Sequence, residues 1–445
     1  MKLIGRRLVS VLVLILGAAI APPTALGQGS TWAGQGLART MDSAMWRAGI
    51  MRANAAFTLT DAGYDSDIYY GFFGETVPDA SASVGTPVQL LFSVNKTVVL
   101  EVYDSPRYDF YLKTKGERAW NNTLRSQLHF VLSSVYLRMG GELADNRRRF
   151  SQELDINIRE KTERLDALAL WQVTRATSLA LIYDRTGFDY GDAVYGGESL
   201  ANTLNRNVDS LEFATFVHVD PHFRFFVDGQ FGNYAFTGLT SQVKNTRSYS
   251  VFGGFVSVFQ RETQRRVGRI QGYLRLGYTR FDVLAPGQLD GSGLVGDVDL
   301  SVGIFRLTNA RVYYSKGYEF SIFSGATFYA EQNYGAGLTR LLSRRALLSY
   351  DLTFGQSTYP QMGEGGGPYS GTLYRFTTHR LVMSATLSRY LRLSLTGTLG
   401  RRLTAETGQA WNRRIIALSL EYGTPGGPDT GPLGGLLRSS TGIID

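Results

Sequence analysis

The chain has 445 residues and no cysteine. That absence excludes disulfides, thiolate zinc sites and catalytic thiols, and it removes the residue that would accept an N-terminal lipid. Proline is scarce, at 12 residues, against 51 glycines, and only 19% of residues are charged, which is sparse for the surface of a soluble protein this long. Net charge is +8, part of it in the first 27 residues, which hold three basic groups and no acid. This is too mild to imply nucleic acid. Mean hydropathy is −0.11, too polar for a bundle of membrane helices. Beyond residue 27 no run reaches the ~18 apolar residues of a spanning helix.

The N-terminus carries Lys2, Arg6 and Arg7, then an apolar run over residues 8–21, then Ala25-Leu26-Gly27. This is the form of a secretory signal peptide over 1–27, because the run is shorter than the roughly 20 residues that span a bilayer. Residues 28–50 read as a short periplasmic arm with partial helical amphipathicity (Leu37, Met41, Met45), too short for the plug domain of a TonB-dependent transporter. Residues 423–445 hold Pro425, Pro428 and Pro432 among glycines, which excludes a strand and leaves a periplasmic tail.

Between them, over 51–422, strict alternation recurs in runs of about ten residues. Val88, Leu90 and Phe92 alternate with Gln89, Leu91 and Ser93; Leu211, Phe213 and Thr215 with Glu212, Ala214 and Phe216; Leu391, Leu393 and Leu395 with Arg392, Ser394 and Thr396; Ile416, Leu418, Leu420 and Tyr422 with Ala417, Ser419 and Glu421. A soluble sandwich or propeller would turn its charged face to water. Here the polar face is rich in Gly, Ser, Thr and Asn, which predicts a transmembrane antiparallel β-barrel, apolar toward lipid and polar toward its lumen. Hydrocarbon cannot satisfy backbone N–H and C=O groups, so only a closed sheet is admissible.

Eight short turns are expected: Asn95-Lys96, Ser133-Ser134, Thr174-Arg175-Ala176, Asp220-Pro221, residues 261–265, Thr308-Asn309, Ser343-Arg344 and Ser388-Arg389. Longer polar segments at 61–80, 191–207, 237–245, 285–293 and 358–371 read as outer loops. The pattern predicts an all-β barrel of 18 strands, or 16 if the region around Ser133 is one long strand, with both termini periplasmic. Residues 147–173 read as one strand projecting beyond the membrane, interrupted by the charged stretch 160–164.

Gly63-Tyr64-Asp65-Ser66-Asp67 is similar to the Y-D-S/D-N motif of the β-barrel porins of exopolysaccharide loci, with Asp67 in the Asn position. Leu204-Asn205-Arg206 is similar to that family's L-D-R segment, with Asn205 in the Asp position. The resemblance implies bacterial outer-membrane location and passage of a secreted polysaccharide. It also implies periplasmic polysaccharide-export proteins as partners, while the barrel itself implies outer-membrane lipid and lipopolysaccharide as surroundings, and the last strand, with Ile416, Leu418, Leu420 and Tyr422, has the form that barrel insertion machinery reads. The periodicity by itself leaves open a general diffusion porin or a structural or adhesive barrel.

The alternation places Arg52, Glu101, Arg138, Asp184, Glu212, Arg224, Asp228, Arg275, Asp297, Asp299, Asp351, Arg392 and Arg402 in the lumen. Their signs are mixed, as in lumen ion pairs or a constriction that orders solutes. Tyr103, Tyr136, Phe216, Phe226, Tyr273 and Phe305 read as inward aromatics, able to stack on sugar rings or to pack against a plug. The histidines, His129, His218, His222 and His379, stand in no catalytic or metal-ligating motif, and Gly363 to Gly367 precedes no helix. No enzyme, cofactor or metal site is expected.

Overall fold

A computed structural model describes residues 32–69, 76–149, 157–191, 194–195, 198–220, 222–238, 241–257, 270–287, 290–322, 327–359, 371–404 and 410–424. The signal peptide, Pro221, the turn at 261–265, the Gly363 to Gly367 segment and the tail beyond residue 424 lie outside the described residues. A helix, α1 (Trp32–Asp42), precedes the sheet. The barrel strands are β1 (Met51–Asp65), β2 (Asp79–Gly85 with Val88–Ser93), β3 (Val98–Asp104 with Arg107–Tyr111), β4 (Ala119–Val131), β5 (Val135–Arg149) and β6 (Asn157–Gln172). They continue with β7 (Thr177–Asp189), β8 (Arg206–His218), β9 (Phe223–Phe236), β10 (Thr246–Ser257), β11 (Ile270–Val283) and β12 (Gly291–Phe305). The last six are β13 (Thr308–Phe320), β14 (Phe328–Leu341), β15 (Ala346–Tyr359), β16 (Gly371–Thr386), β17 (Leu391–Thr404) and β18 (Ala410–Gly423).

Each strand pairs antiparallel with the next, and β18 returns to β1, from Ala56 opposite Gly423 to Asp65 opposite Ile415. The result is a closed barrel of 18 strands, with no free sheet edge. Two strands are broken at one level by proline. Pro87 in β2 and Pro106 in β3 cannot donate to the ladder, but their carbonyls still accept, from Ala56 N at 3.0 Å and Thr86 N at 3.1 Å.

Among the described residues one rim carries short turns, and in several of them the first polar side chain supplies the missing acceptor. Asn95 Oδ1 accepts from the N–H groups of Thr97 and Val98, Asp220 Oδ1 from His222 and Phe223, and Ser343 Oγ from Arg345 and Ala346. Two expectations shift. Thr308 and Asn309 are the first residues of β13, so that turn is Arg306-Leu307. Arg147 belongs to the end of β5, and β6 starts at Asn157, with the charged stretch 160–164 inside it. The turn at Ser133-Ser134 divides β4 from β5, which settles the count at 18 rather than 16.

The outer face is apolar: Leu211, Phe213, Val227 and Ile416 are all exposed, and Leu294 is 71% exposed. The inner face carries the buried charges. The closing seam needs a bulge. Asp61 adopts φ +54°, the register of β1 against β18 shifts between Leu59 and Ala62, and Asp65 comes to face inward. At Gly63 a Cβ would stand 1.9 Å from the Ile416 carbonyl, so the seam requires glycine there. The Gly63 to Asp67 segment is therefore the closing device of the sheet.

Candidate functional site

The lumen is built from the inward side chains, and one arc of it is filled. Helix α1 turns Ala33, Leu37 and Met41, spaced four apart, onto one face. That face packs inside the barrel on Leu91 of β2, Val99 of β3, Tyr136 of β5, Leu168 and Leu170 of β6, Ile182 of β7, Phe216 of β8, Phe226 of β9 and Val256 of β10. All of these stand near the short-turn ends of their strands. Leu37 is 3% exposed, and its burial contributes roughly 2–3 kcal/mol. The arm thus enters the lumen, but its helix ends at Asp42. Met45 lies beyond it, where its N–H donates to Asn54 Oδ1 at 3.0 Å, and residues Trp46–Ala48 pair with the start of β1.

Across β1 to β5 a buried hydrogen-bond chain runs from Asn54 Nδ2 to Gln89 Oε1 (3.0 Å) and from Gln89 Nε2 to Glu101 Oε1 (2.7 Å). It continues from Glu101 to His129 Nε2 (3.0 Å) and from His129 Nδ1 to the Tyr136 hydroxyl (2.8 Å). With Nε2–H donating to the carboxylate, Nδ1 accepts from Tyr136. His129, which reads as isolated in the sequence, is the middle of this chain. It is buried, and its two ring nitrogens meet a carboxylate and a phenol. His218 meets Ser178 Oγ at 3.0 Å, but Ser178 is fully buried and among the described residues no carboxylate holds the imidazole. His379 is on the outer face, bonded to Tyr350. None of these three arrangements has the geometry of a catalytic triad.

All thirteen expected lumen residues fall on the inward face by register, and they divide into two groups. Asp184 binds Arg164 and accepts from Thr186 Oγ1 at 2.7 Å, while Arg138 reaches Asp166 at 3.0 Å. Arg275, 2% exposed, binds Asp228 at 2.6 Å, lies 3.9 Å from Glu212 and stacks on Phe252 at 3.8 Å. Tyr273 donates to Asp297 at 2.8 Å, and Arg402 stacks on Tyr374. These, with Glu101, clamp neighbouring strands. Asp299 carries the half-open pair with Arg311 at 2.7 Å. Arg52 bonds back to the carbonyls of Gly49 and Met51, and Arg224 stands beside His218 at the short-turn rim. Asp351 lies opposite Gly337 and Arg380, and Arg392 is exposed opposite Glu421.

Of the six aromatics, Tyr136, Phe216 and Phe226 are buried in the α1 cluster, Tyr273 packs against it, and Tyr103 lies inward beside Gln89 and Arg125. Phe305 does not join them. A bulge between Gly303 and Phe305 sets it opposite Thr308, on the other parity, 68% exposed at the short-turn rim.

The opposite arc, β14 to β18, presents a band of small groups inward, Gly335, Gly337, Gly355, Thr378, Thr396, Thr398, Gly400 and Ser419, between charged side chains such as Asp351, Arg380, Arg392 and Arg402. At the long-loop end a second closure forms. Helix α2 (Leu200–Leu204), capped by Ser199, buries Leu200 and Leu204 on Ile158, Phe188, Val208 and Ile322. Arg206 sits over Phe188 at 4.5 Å, near Phe320 and Phe236, and Lys244 Nζ donates to the Ser321 carbonyl at 2.6 Å. The Leu204-Asn205-Arg206 segment is thus a loop latch. Nothing in its composition signals that; three loops distant in sequence meet there. Burial raises the Tyr190 phenol well above its usual range. Burial, then the Glu117 carboxylate, push Tyr69 up to about 12. Beside the latch a cavity of about 430 Å³ is lined by Asp65, Asp109 and Glu117 together with Arg107, Arg147, Arg148 and Arg413.

No family model matches the chain, and no curated protein is similar to it. Among solved structures it is similar to OpdO of Pseudomonas aeruginosa (11% identity, TM-score 0.48), which covers 83% of this chain and 96% of that one. It is also similar to the outer membrane protein OpdK of Pseudomonas aeruginosa (12%, TM-score 0.47), over 83% and 98% of the two chains. A third is OccAB4 of Acinetobacter baumannii (8%, TM-score 0.47), over 84% and 98%.

Proposed function

We propose that the chain is a channel of the bacterial outer membrane that passes small hydrophilic solutes along the β14 to β18 wall and catalyses nothing. One observation carries this reading: α1 occupies the arc that faces that wall. An 18-stranded barrel is wide enough for an aqueous lumen, but a helix, a clamped arc and the α2 latch reduce it. A hydrated polymer chain needs a clear bore, so this filling favours small solutes over the polysaccharide conduit that the sequence motifs imply. Outward apolar strands support the membrane setting. Short turns on one rim and long loops on the other support periplasmic termini. Tags at Gly197 and Gly366 are then labelled on intact cells, and a tag at Arg344 is not; the reverse pattern inverts the topology.

The function is tested in cells. A strain lacking the gene keeps its surface polysaccharide and takes up small hydrophilic solutes more slowly. Normal uptake with lost polysaccharide would overturn the proposal.

A further inference from the structure

The outer face is not uniformly charged at its long-loop rim. On the β5 to β11 arc outward arginines stand beside acids: Arg159 with Asp145 at 2.7 Å, Arg185 with Asp209 at 3.8 Å, Arg280 with Asp282 at 2.6 Å, and Arg247 in register with Asp282. At that rim on the β13 to β18 arc the outward charges among the described residues are Lys316, Arg375, Arg401 and Arg414, and no described carboxylate pairs with them; the arc's other outward cation, Arg340, stands at the short-turn end. Each of the rim cations lies three or four residues in from the long-loop end of its strand. Arg375, Arg401 and Arg414 are exposed and descend by one outward position per strand, Thr377 facing Arg401 and Arg401 facing Asn412. In a barrel the strands tilt, so such a descent keeps groups at one depth. Lys316 lies in register with Gln332, Gln356 and Arg375, and Gln356 donates to Gln332 at 3.0 Å. The next row toward the membrane centre on these strands is Tyr314, Tyr334 and Phe354, with Tyr334 stacked on Phe354 at 5.4 Å. Aromatic rings mark the interface of a membrane barrel, so the cations stand just beyond the hydrocarbon, where the headgroups begin.

We infer that this arc is a binding surface for the phosphate groups of an outer-leaflet glycolipid, lipopolysaccharide. The inference rests on the outer-membrane, loops-outward reading above. Arginine forks bind phosphate oxygens in bidentate fashion, and among the described residues of this surface no outward acid stands to repel the dianion. Below the arginines, Leu399, Leu395 and Ile416 offer apolar surface to acyl chains. The paired charges of the opposite arc leave no such net field. The consequence is an oriented barrel, with one side held in ordered lipid and the other free.

The test uses the full chain in detergent with purified bisphosphorylated lipid A and its dephosphorylated form, read by native mass spectrometry. The wild type retains the phosphorylated form, and retention weakens with salt. Arg375→Gln/Arg401→Gln/Arg414→Gln retains it roughly tenfold less or worse. Arg401→Gln alone lies between, and Arg159→Gln/Arg185→Gln on the other arc equals the wild type. Equal retention by the triple variant, or no preference of the wild type for the phosphorylated lipid, overturns the inference. Loss of an oligomer in the triple variant with lipid A retention intact also overturns it, in favour of an interface between copies. Channel conductance is recorded on the same preparations. Intact conductance with no lipid effect sinks this inference alone, whereas no conductance from any folded preparation sinks the channel reading beneath it.

Discussion

Arg392 and Leu393 are neighbours in β17 that face opposite surroundings, the first opposite Glu421, the second opposite Leu420. An arginine on the lipid face costs about 2–4 kcal/mol at mid-depth and less near the interface. Leu395→Arg is therefore expected to impair refolding into vesicles more than Leu393→Arg, and Arg392→Leu to leave it nearly unchanged, as read by heat-modifiable gel mobility. Arg275 is different, because its partners are buried. Arg275→Met leaves Asp228 and Glu212 without their cation and is expected to cost about 3–5 kcal/mol. Adding Asp228→Asn should restore part of the loss in urea unfolding. Which side chain faces inward was legible from the alternation, since facing depends only on parity. Which side chains meet was not: Glu101 finds His129 and Arg275 finds Asp228 only through strand register. Phe305 departs from the alternation because one extra residue in a bulge changes parity without any sign in the composition.

Among the elements, turns were the most legible, because Asn95, Asp220 and Ser343 close them with their own side chains. The turn at Arg306-Leu307 lacks such a residue, and the sequence points instead to Thr308-Asn309, two residues further on. The arm was legible as amphipathic, but its destination was not. An apolar stripe on a helix does not say what it packs against, and the matching patch is spread over many strands. Leu37→Asp should undock α1 by placing a charge on Phe216 and Leu168. The expected outcome is a larger single-channel conductance in planar bilayers with heat-modifiable mobility retained. Unchanged conductance would mean that α1 does not narrow the passage.

At the scale of the molecule, closure and strand number followed from counting short turns, because each strand pair must return the chain to one rim. The interior did not follow, since a barrel of given size is equally compatible with an empty or a filled lumen. The central claim is that water and solute occupy the β14 to β18 side while α1 seals the other. The chain contains no cysteine, so single cysteines report without background. The direct measurement is the rate at which a small water-soluble thiol reagent modifies Thr396→Cys and Thr378→Cys on the wall, compared with Ala214→Cys and Ala180→Cys beneath the helix cluster. The account predicts fast modification at both wall positions and protection at both alanine positions, with protection lost when Leu37→Asp is added. Modification of Ala214→Cys as fast as Thr396→Cys in the otherwise unaltered chain would contradict it.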